Sequence, residues 1–380
     1  MLKHNITNRN AILFVIGLIG TEIAQYLIIV DRGFLGGDFY MSMPADSNLP
    51  ISLGISIFIW IVSYLLFYIS RSAAPSKMMI PVTSLVLLLY IFNFGITILG
   101  DIGNVMSTTR SPISFLTTLI PINYLILVNS QPRKLNKKFF VAAIVLIVVD
   151  LYRLLLGAVL KIGYILLMRS SRKQIFVILI ALPLVLVPVE ALVTYKIEAR
   201  GMAIENVQDV IVDVVTARIA TLSTVHYMAS NAKGLSEFSH RPEYSSPWLA
   251  AGLSVIPKSI FGLDYVRTNN NWLIEYHHQR SVPDSSVNAP WFMTLYVEAL
   301  SGYENFLSYL ILTTSLLVAV IKLTNYLFGA DGDIFRLWII FEFMWTGNIL
   351  HLTIPLYFLC ILTFYAWFKK NIVFETNKFV

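Results

Sequence analysis

The sequence predicts an all-α integral membrane protein with about ten crossings. Three observations carry that reading. Of 380 residues, 57% are hydrophobic and only 13% are charged, against roughly 25% charged in an average soluble domain. Mean hydropathy is +0.71. The apolar residues are gathered into long runs, most of them close to the about 20 residues that cover a hydrocarbon core. A soluble enzyme, a DNA-binding protein and a disordered chain are excluded. The net charge of +6 is therefore not a nucleic-acid signal, and no nucleic-acid partner is expected.

The first run, Ala11–Val30, follows Lys3 and Arg9. It is long for a signal peptide and no small-x-small site follows, so it reads as an uncleaved first span. Ile51–Ile69, Met78–Leu99, Pro112–Asn129, Ile175–Tyr195 and Tyr303–Ile321 each suit one crossing. Phe139–Met168 and Leu337–Phe368, at 30 and 32 residues, are too long for one.

Basic residues settle the parity. Arg71 and Lys77, then Arg133, Lys134, Lys137 and Lys138, then Arg169, Arg172 and Lys173, and finally Lys369 and Lys370 crowd alternate connections. The connections between them are poor in Lys and Arg. By the positive-inside rule both termini are cytoplasmic. Each long run then has to enter and return, as two short helices. The first pair is expected to meet near Asp150 and Arg153, the second near Gly347 to Pro355. Short broken helices are tolerated where they line a polar cavity.

Three regions follow: N-terminal membrane helices over 1–195, a large periplasmic segment over 196–289, and C-terminal membrane helices over 290–380. The middle segment is polar, rich in Trp, Tyr, Asn, Ser and Pro, and nearly balanced in charge. It is too long to be a bare connector, so function is expected there. The single cysteine, Cys360, allows no internal disulfide and no zinc-type cluster.

Within that segment, Val207, Val210, Ile211, Val214, Val215, Leu222 and Val225 recur at helical spacing over Asn206–Met228. Arg218 falls on this stripe, and His226 follows it. A guanidinium on a buried stripe needs an anion, supplied either by substrate or by a local carboxylate. Trp248–Ile260 is too short to span and suits an interfacial or re-entrant element. Lys258 and Arg267 beside it suit phosphate oxygens or plain interfacial anchoring. His277 and His278 point about 100° apart on a helix, which is poor metal geometry; one of them suits a base or a hydrogen-bond donor. Arg280 follows them. Glu298, in apolar company ahead of a span, is a carboxylate with a raised pKa or a surface residue at a helix entrance. Glu342 and His351 are intramembrane ionisable groups, either a site or a polar contact between helices. Tyr227, Tyr244, Trp248, Tyr265, Trp272 and Tyr276 suit sugar faces and the membrane interface equally.

Taken in order, these features resemble Wzy-type oligosaccharide repeat-unit polymerases, the O-antigen polymerase family. The residues that carry the resemblance are Ala217-Arg218-Ile219-Ala220, Ile256-Pro257-Lys258, Asp284-Ser285-Ser286, and the helix containing Glu298 that leads through Gly302 into a span. Val297 stands where the family pattern has glycine, and Leu300 where it has tyrosine. The resemblance implies a GT-C-like membrane glycosyltransferase at the periplasmic face of a bacterial inner membrane. It implies polymerisation of repeat units carried on undecaprenyl diphosphate, which serve as donor and acceptor within the lipid bilayer. No nucleotide sugar, metal or other cofactor is expected, and a chain-length regulator protein is a candidate partner. Arg218, Lys258, Arg267 and Arg280 would clamp the diphosphate. Glu298 or His278 would take the proton of the attacking hydroxyl. An O-antigen ligase and a lipid-linked oligosaccharide flippase are the alternatives; the absence of an internal repeat weighs against a transporter.

Overall fold

In the computed structural model, the residues described are 2–33, 46–78, 87–88, 91, 137–152, 157–171, 173–176, 194, 219–241, 246–253, 269–279 and 287–376. Among them every regular element is helical. Among the described residues four stretches are long and apolar enough to cross a membrane: Asn8–Arg32, Leu49–Ser70, Tyr303–Thr346 and Leu350–Phe368. The chain is a multi-pass membrane protein. The crossings expected at Met78–Leu99, Pro112–Asn129 and Ile175–Tyr195 fall almost wholly outside the described residues.

Helices α1 (Leu2–Arg32) and α2 (Leu49–Ser70) form the first antiparallel pair. Ile29 packs with Leu49 at one end. Toward the other, Tyr64 Oη donates to Asn8 Oδ1 at 3.0 Å. Both helices leave large apolar side chains uncovered, among them Ile16, Leu27, Ile51 and Ile69, as a lipid-facing surface requires.

The run Phe139–Met168 is two helices, α3 (Lys137–Tyr152) and α4 (Gly157–Arg169), which pack on each other. Residues 153–156, which include Arg153 of the expected meeting point, lie outside the described residues. α4 lies antiparallel to α1. Phe14 meets Tyr164 edge-on with centroids 5.2 Å apart, and Asn10 Nδ2 donates to Leu167 O at 2.9 Å and Ser170 O at 3.1 Å.

Further along come α5 (Leu222–Ser239), α6 (Pro247–Leu253), α7 (Asn269–His278), α8 (Trp291–Ser301) and α9 (Tyr303–Phe328). They are followed by a 3-10 turn at Gly329–Gly332, then α10 (Asp333–Thr346) and α11 (Leu350–Thr376). The run Leu337–Phe368 thus also divides. Its break is at Gly347, in the left-handed region at φ 57, which glycine adopts without a Cβ penalty. Pro355 lies inside α11 and does not end it.

α10 is the centre of the bundle. Every residue in it except Trp345 is buried, so other elements wrap it on nearly all sides. Phe341 stacks on Trp60 at 5.8 Å and 12°, and meets Phe14 edge-on at 5.4 Å. Tyr164 Oη donates to Ile334 O at 2.7 Å. Arg336, fully buried, is held by Asp333, Asn325 Oδ1 and Gly329 O. Arg71 reaches the other oxygen of Asp333 at 3.4 Å. Nearby, Ala330 N donates to Ala74 O, while Lys77 N and Met78 N donate to Leu327 O. The loops carrying Arg71 and Lys77 therefore close the same end of the bundle as Arg9, Ser170 and the start of α10.

The helix expected over Asn206–Met228 is corrected. Residues 201–218 lie outside the described residues; a break stands at Ala220 and Thr221, and α5 runs on to Ser239. The cause is long-range. Glu22 of α1 accepts Thr221 N at 2.7 Å, Thr221 Oγ1 at 2.9 Å and Leu222 N at 2.9 Å. A carboxylate that takes consecutive unpaired N–H groups starts a helix and favours its positive end. Trp60 Nε1 adds a fourth donor to Glu22 at 2.8 Å. α5 is thereby tucked against α1, α2, α7 and α8 and not set apart from the membrane helices.

Candidate functional site

α8 begins deep and ends at a turn. Ala289 N donates to Thr346 O at 3.1 Å, and Trp291 Nε1 donates to Thr313 Oγ1 at 3.1 Å. Thr294 is bonded back to Ala289 O and Pro290 O. At the other end Gly302 has φ 141, a conformation that needs glycine. The chain reverses there into α9. Glu298 therefore sits one turn below a sharp bend, and it is 6% exposed.

Its partner is a residue that sequence reasoning missed. His240, the residue after α5, places Nε2 at 3.1 Å from Glu298 Oε2 and 2.8 Å from Ser301 Oγ. The Ser301 hydroxyl donates to Glu298 O at 2.8 Å, so its lone pairs are free to receive. A carboxylate only accepts, so Nε2 carries the proton and divides it between the two oxygens. Nδ1 is the open nitrogen. The hydrogen bond to Glu298 holds the His240 pKa above the ordinary histidine value, burial opposes it, and the carboxylate charge adds to the rise. His240 is 39% exposed whereas Glu298 is 8% exposed by side chain. The arrangement is a buried carboxylate that orients a surface-facing imidazole and favours its protonated form, a geometry shared with carboxylate-backed general bases. Arg241 follows His240 and lies over the Phe238 ring at 4.1 Å.

His278, the other residue proposed as base, does not join Glu298. It ends α7, is exposed, and faces His277 edge-on at 4.9 Å. Its neighbour His277 is the one that packs inward, against Tyr227 at 5.3 Å. Burial and the adjacent His278 push the His277 pKa below the usual histidine value. Arg218, Lys258, Arg267 and Arg280, proposed for the diphosphate, lie outside the described residues. His226 is fully buried on α5, with Nδ1 3.0 Å from Ser52 Oγ and Nε2 3.5 Å from Asp46 Oδ1. It serves as a polar contact between α5 and α2.

A second polar cluster lies inside the bundle. Glu342 Oε1 receives Lys161 Nζ at 2.9 Å and His351 Nδ1 at 3.2 Å. Glu342 Oε2 receives Trp338 Nε1 at 2.8 Å. Glu342 and His351 were visible as intramembrane ionisable residues. Lys161, the one charge between Gly157 and Met168, was the signal left unused. Among the described residues no group of three His, Cys, Asp or Glu side chains is arranged to hold a metal ion.

No protein-family model, curated protein or solved structure matches the chain.

Proposed function

We propose that the protein is a membrane glycosyltransferase that polymerises undecaprenyl-diphosphate-linked repeat units into O-antigen or a related surface glycan. The observation that carries this reading is the Glu298–His240 pair: a buried carboxylate behind a partly exposed imidazole. The sequence resemblance around Arg218, Lys258, Asp284 and Glu298 supports the substrate class.

The chemistry is a single transfer. A hydroxyl of the acceptor sugar attacks the anomeric carbon of the donor. The bond from that carbon to the diphosphate oxygen breaks, and the lipid diphosphate leaves with the electron pair. The hydroxyl proton passes to His240 Nδ1, and Glu298 stabilises the imidazolium that forms. Arg218, Lys258, Arg267 and Arg280 would meet the charge that develops on the diphosphate. His240 therefore takes the base role first assigned to Glu298 or His278, and Glu298 becomes the residue that orients it.

The test uses cells that build a known repeat unit. The protein is deleted, then restored as wild type, His240→Asn, Glu298→Gln or Arg218→Ala at matched membrane levels, and the surface glycan is run on a gel. Deletion that leaves one repeat unit on lipid A core, with a ladder restored by wild type alone, supports a polymerase. Bare core with long lipid-linked chains outside the membrane identifies a ligase. Repeat units held on the inner leaflet identify a flippase. That second reading is favoured by one observation, the Lys161–Glu342–His351 cluster around buried Glu342, since charged groups within the helix bundle are a common feature of transporters.

A further inference from the structure

His226 is 0% exposed, and its two ring nitrogens meet different surroundings. Nδ1 lies 3.0 Å from Ser52 Oγ. Nε2 has no hydrogen-bond partner among the described residues. It faces Asp46 Oδ1 across 3.5 Å, beyond the usual length of an N–H···O bond. A buried polar atom left in this state calls for an explanation, and an ion is one of the few that serve.

The distance favours an ion. Zinc binds imidazole nitrogen and carboxylate oxygen at about 2.0–2.2 Å, so two such ligands on a tetrahedral ion stand about 3.4 Å apart. A charge-assisted hydrogen bond between the same atoms closes to about 2.7–2.9 Å. The observed separation matches the first value and not the second. The neighbours also hold both atoms in place. Asn48 N donates to Asp46 Oδ1 at 2.8 Å, which fixes the carboxylate at the start of α2. The Ser52 hydroxyl donates to Asn48 O at 3.3 Å and meets His226 Nδ1, which fixes the ring. Asn48 thus steadies both halves of the pair with its own N–H and carbonyl. Supporting bonds of this kind are usual behind metal-binding histidines and carboxylates.

We propose that Asp46 Oδ1 and His226 Nε2 are the two protein ligands of a divalent transition-metal ion, of the zinc, nickel or copper class that imidazole suits. The ion takes the place of any proton on Nε2, so the site requires no particular resting state of the ring. Two protein ligands leave the other positions to water, and Asp46, 41% exposed by side chain, lets water in. The ion would join α2 to α5. His226 lies in the second turn of α5 and His240 just past its end, so the site is roughly 20 Å along that helix from the Glu298–His240 pair. It does not rest on the glycan reading.

The test uses the full-length protein, purified on a tag without histidine, stripped with a chelator and placed in lipid nanodiscs. Zinc chloride is titrated in a calorimeter, and the melting temperature is followed alongside. The expected result is saturable binding of one ion per chain, with a rise in melting temperature. Ser52→Ala, which removes the support at Nδ1, weakens binding by about 10–100-fold. Asp46→Asn weakens it further. Asparagine keeps an oxygen for Asn48 N, so that variant spares the turn at the start of α2. His278→Ala, which removes an exposed rival ligand, leaves binding as in wild type. A wild-type protein with no saturable zinc site overturns the proposal. So does binding that keeps its wild-type affinity in Asp46→Asn, or that vanishes in His278→Ala, since the ion then sits elsewhere.

Discussion

A Cβ on Gly329 would run into the carbonyl oxygen of Ala74. The two residues stand 255 positions apart, yet Ala330 N donates to Ala74 O at 2.9 Å and Gly329 holds φ 48. Only glycine satisfies both demands. Gly329→Ala is expected to lower stability by about 2 kcal/mol or more, since strain and collision add. The melting temperature of the purified protein in detergent checks this, and an unchanged value would count against the turn as drawn.

Arg336 and Asp333 form a buried pair beside that turn. Asp333→Asn leaves a guanidinium short of its main counter-charge, at a cost of about 3–5 kcal/mol. The double change Arg336→Met with Asp333→Asn removes the stranded charge as well. Its cost is expected to be smaller than that of Asp333→Asn alone. A double-mutant cycle on thermal unfolding reads the sign directly.

His240 and Glu298 give a pH signature. The folded His240 pKa lies above the ordinary value of about 6.5. Its contribution to stability is therefore whole below that value and fades as pH rises through the folded pKa. If His240 is the base of the proposed transfer, the neutral ring is the active form, and the rate is expected to climb over the same window. In Glu298→Gln the imidazole loses its counter-charge, so the rising limb moves to lower pH. Rate against pH for wild type and Glu298→Gln, measured on lipid-linked substrate in membranes, tests the displacement.

Loss of the ring itself is a separate matter. His240→Asn is expected to reduce turnover by about 10²–10⁴-fold, the usual share of a positioned base. The fold should survive, since His240 is partly exposed and lies past the end of α5. His278→Asn, away from Glu298, should leave turnover within about twofold, the scale of a surface change. Equal losses in both variants would return His278 to the site.

Part of the architecture was legible because run length carries it. The runs Phe139–Met168 and Leu337–Phe368 exceeded one crossing, and each is two helices in the structure. Glu298 stood out because a carboxylate in apolar company needs a reason. His240 did not, because its partner is 58 residues away and no periodicity links a helix-end histidine to a later helix. Glu22 was hidden for a similar cause. It reads as a stray charge in the first span, and only the folded chain brings Thr221 to it. The four basic residues assigned to the diphosphate lie outside the described residues, so their part still rests on the sequence pattern.

The bond between Glu22 and Thr221 also sets a schedule for the ribosome. The two are separated by 199 positions, which at about 5–20 residues per second takes roughly 10–40 s to synthesise. For that interval the first helix sits in the bilayer with its acid unmet by Thr221 or Leu222. Assembly of this protein therefore depends on an early helix waiting, with a polar group exposed, for a segment from the second half of the chain.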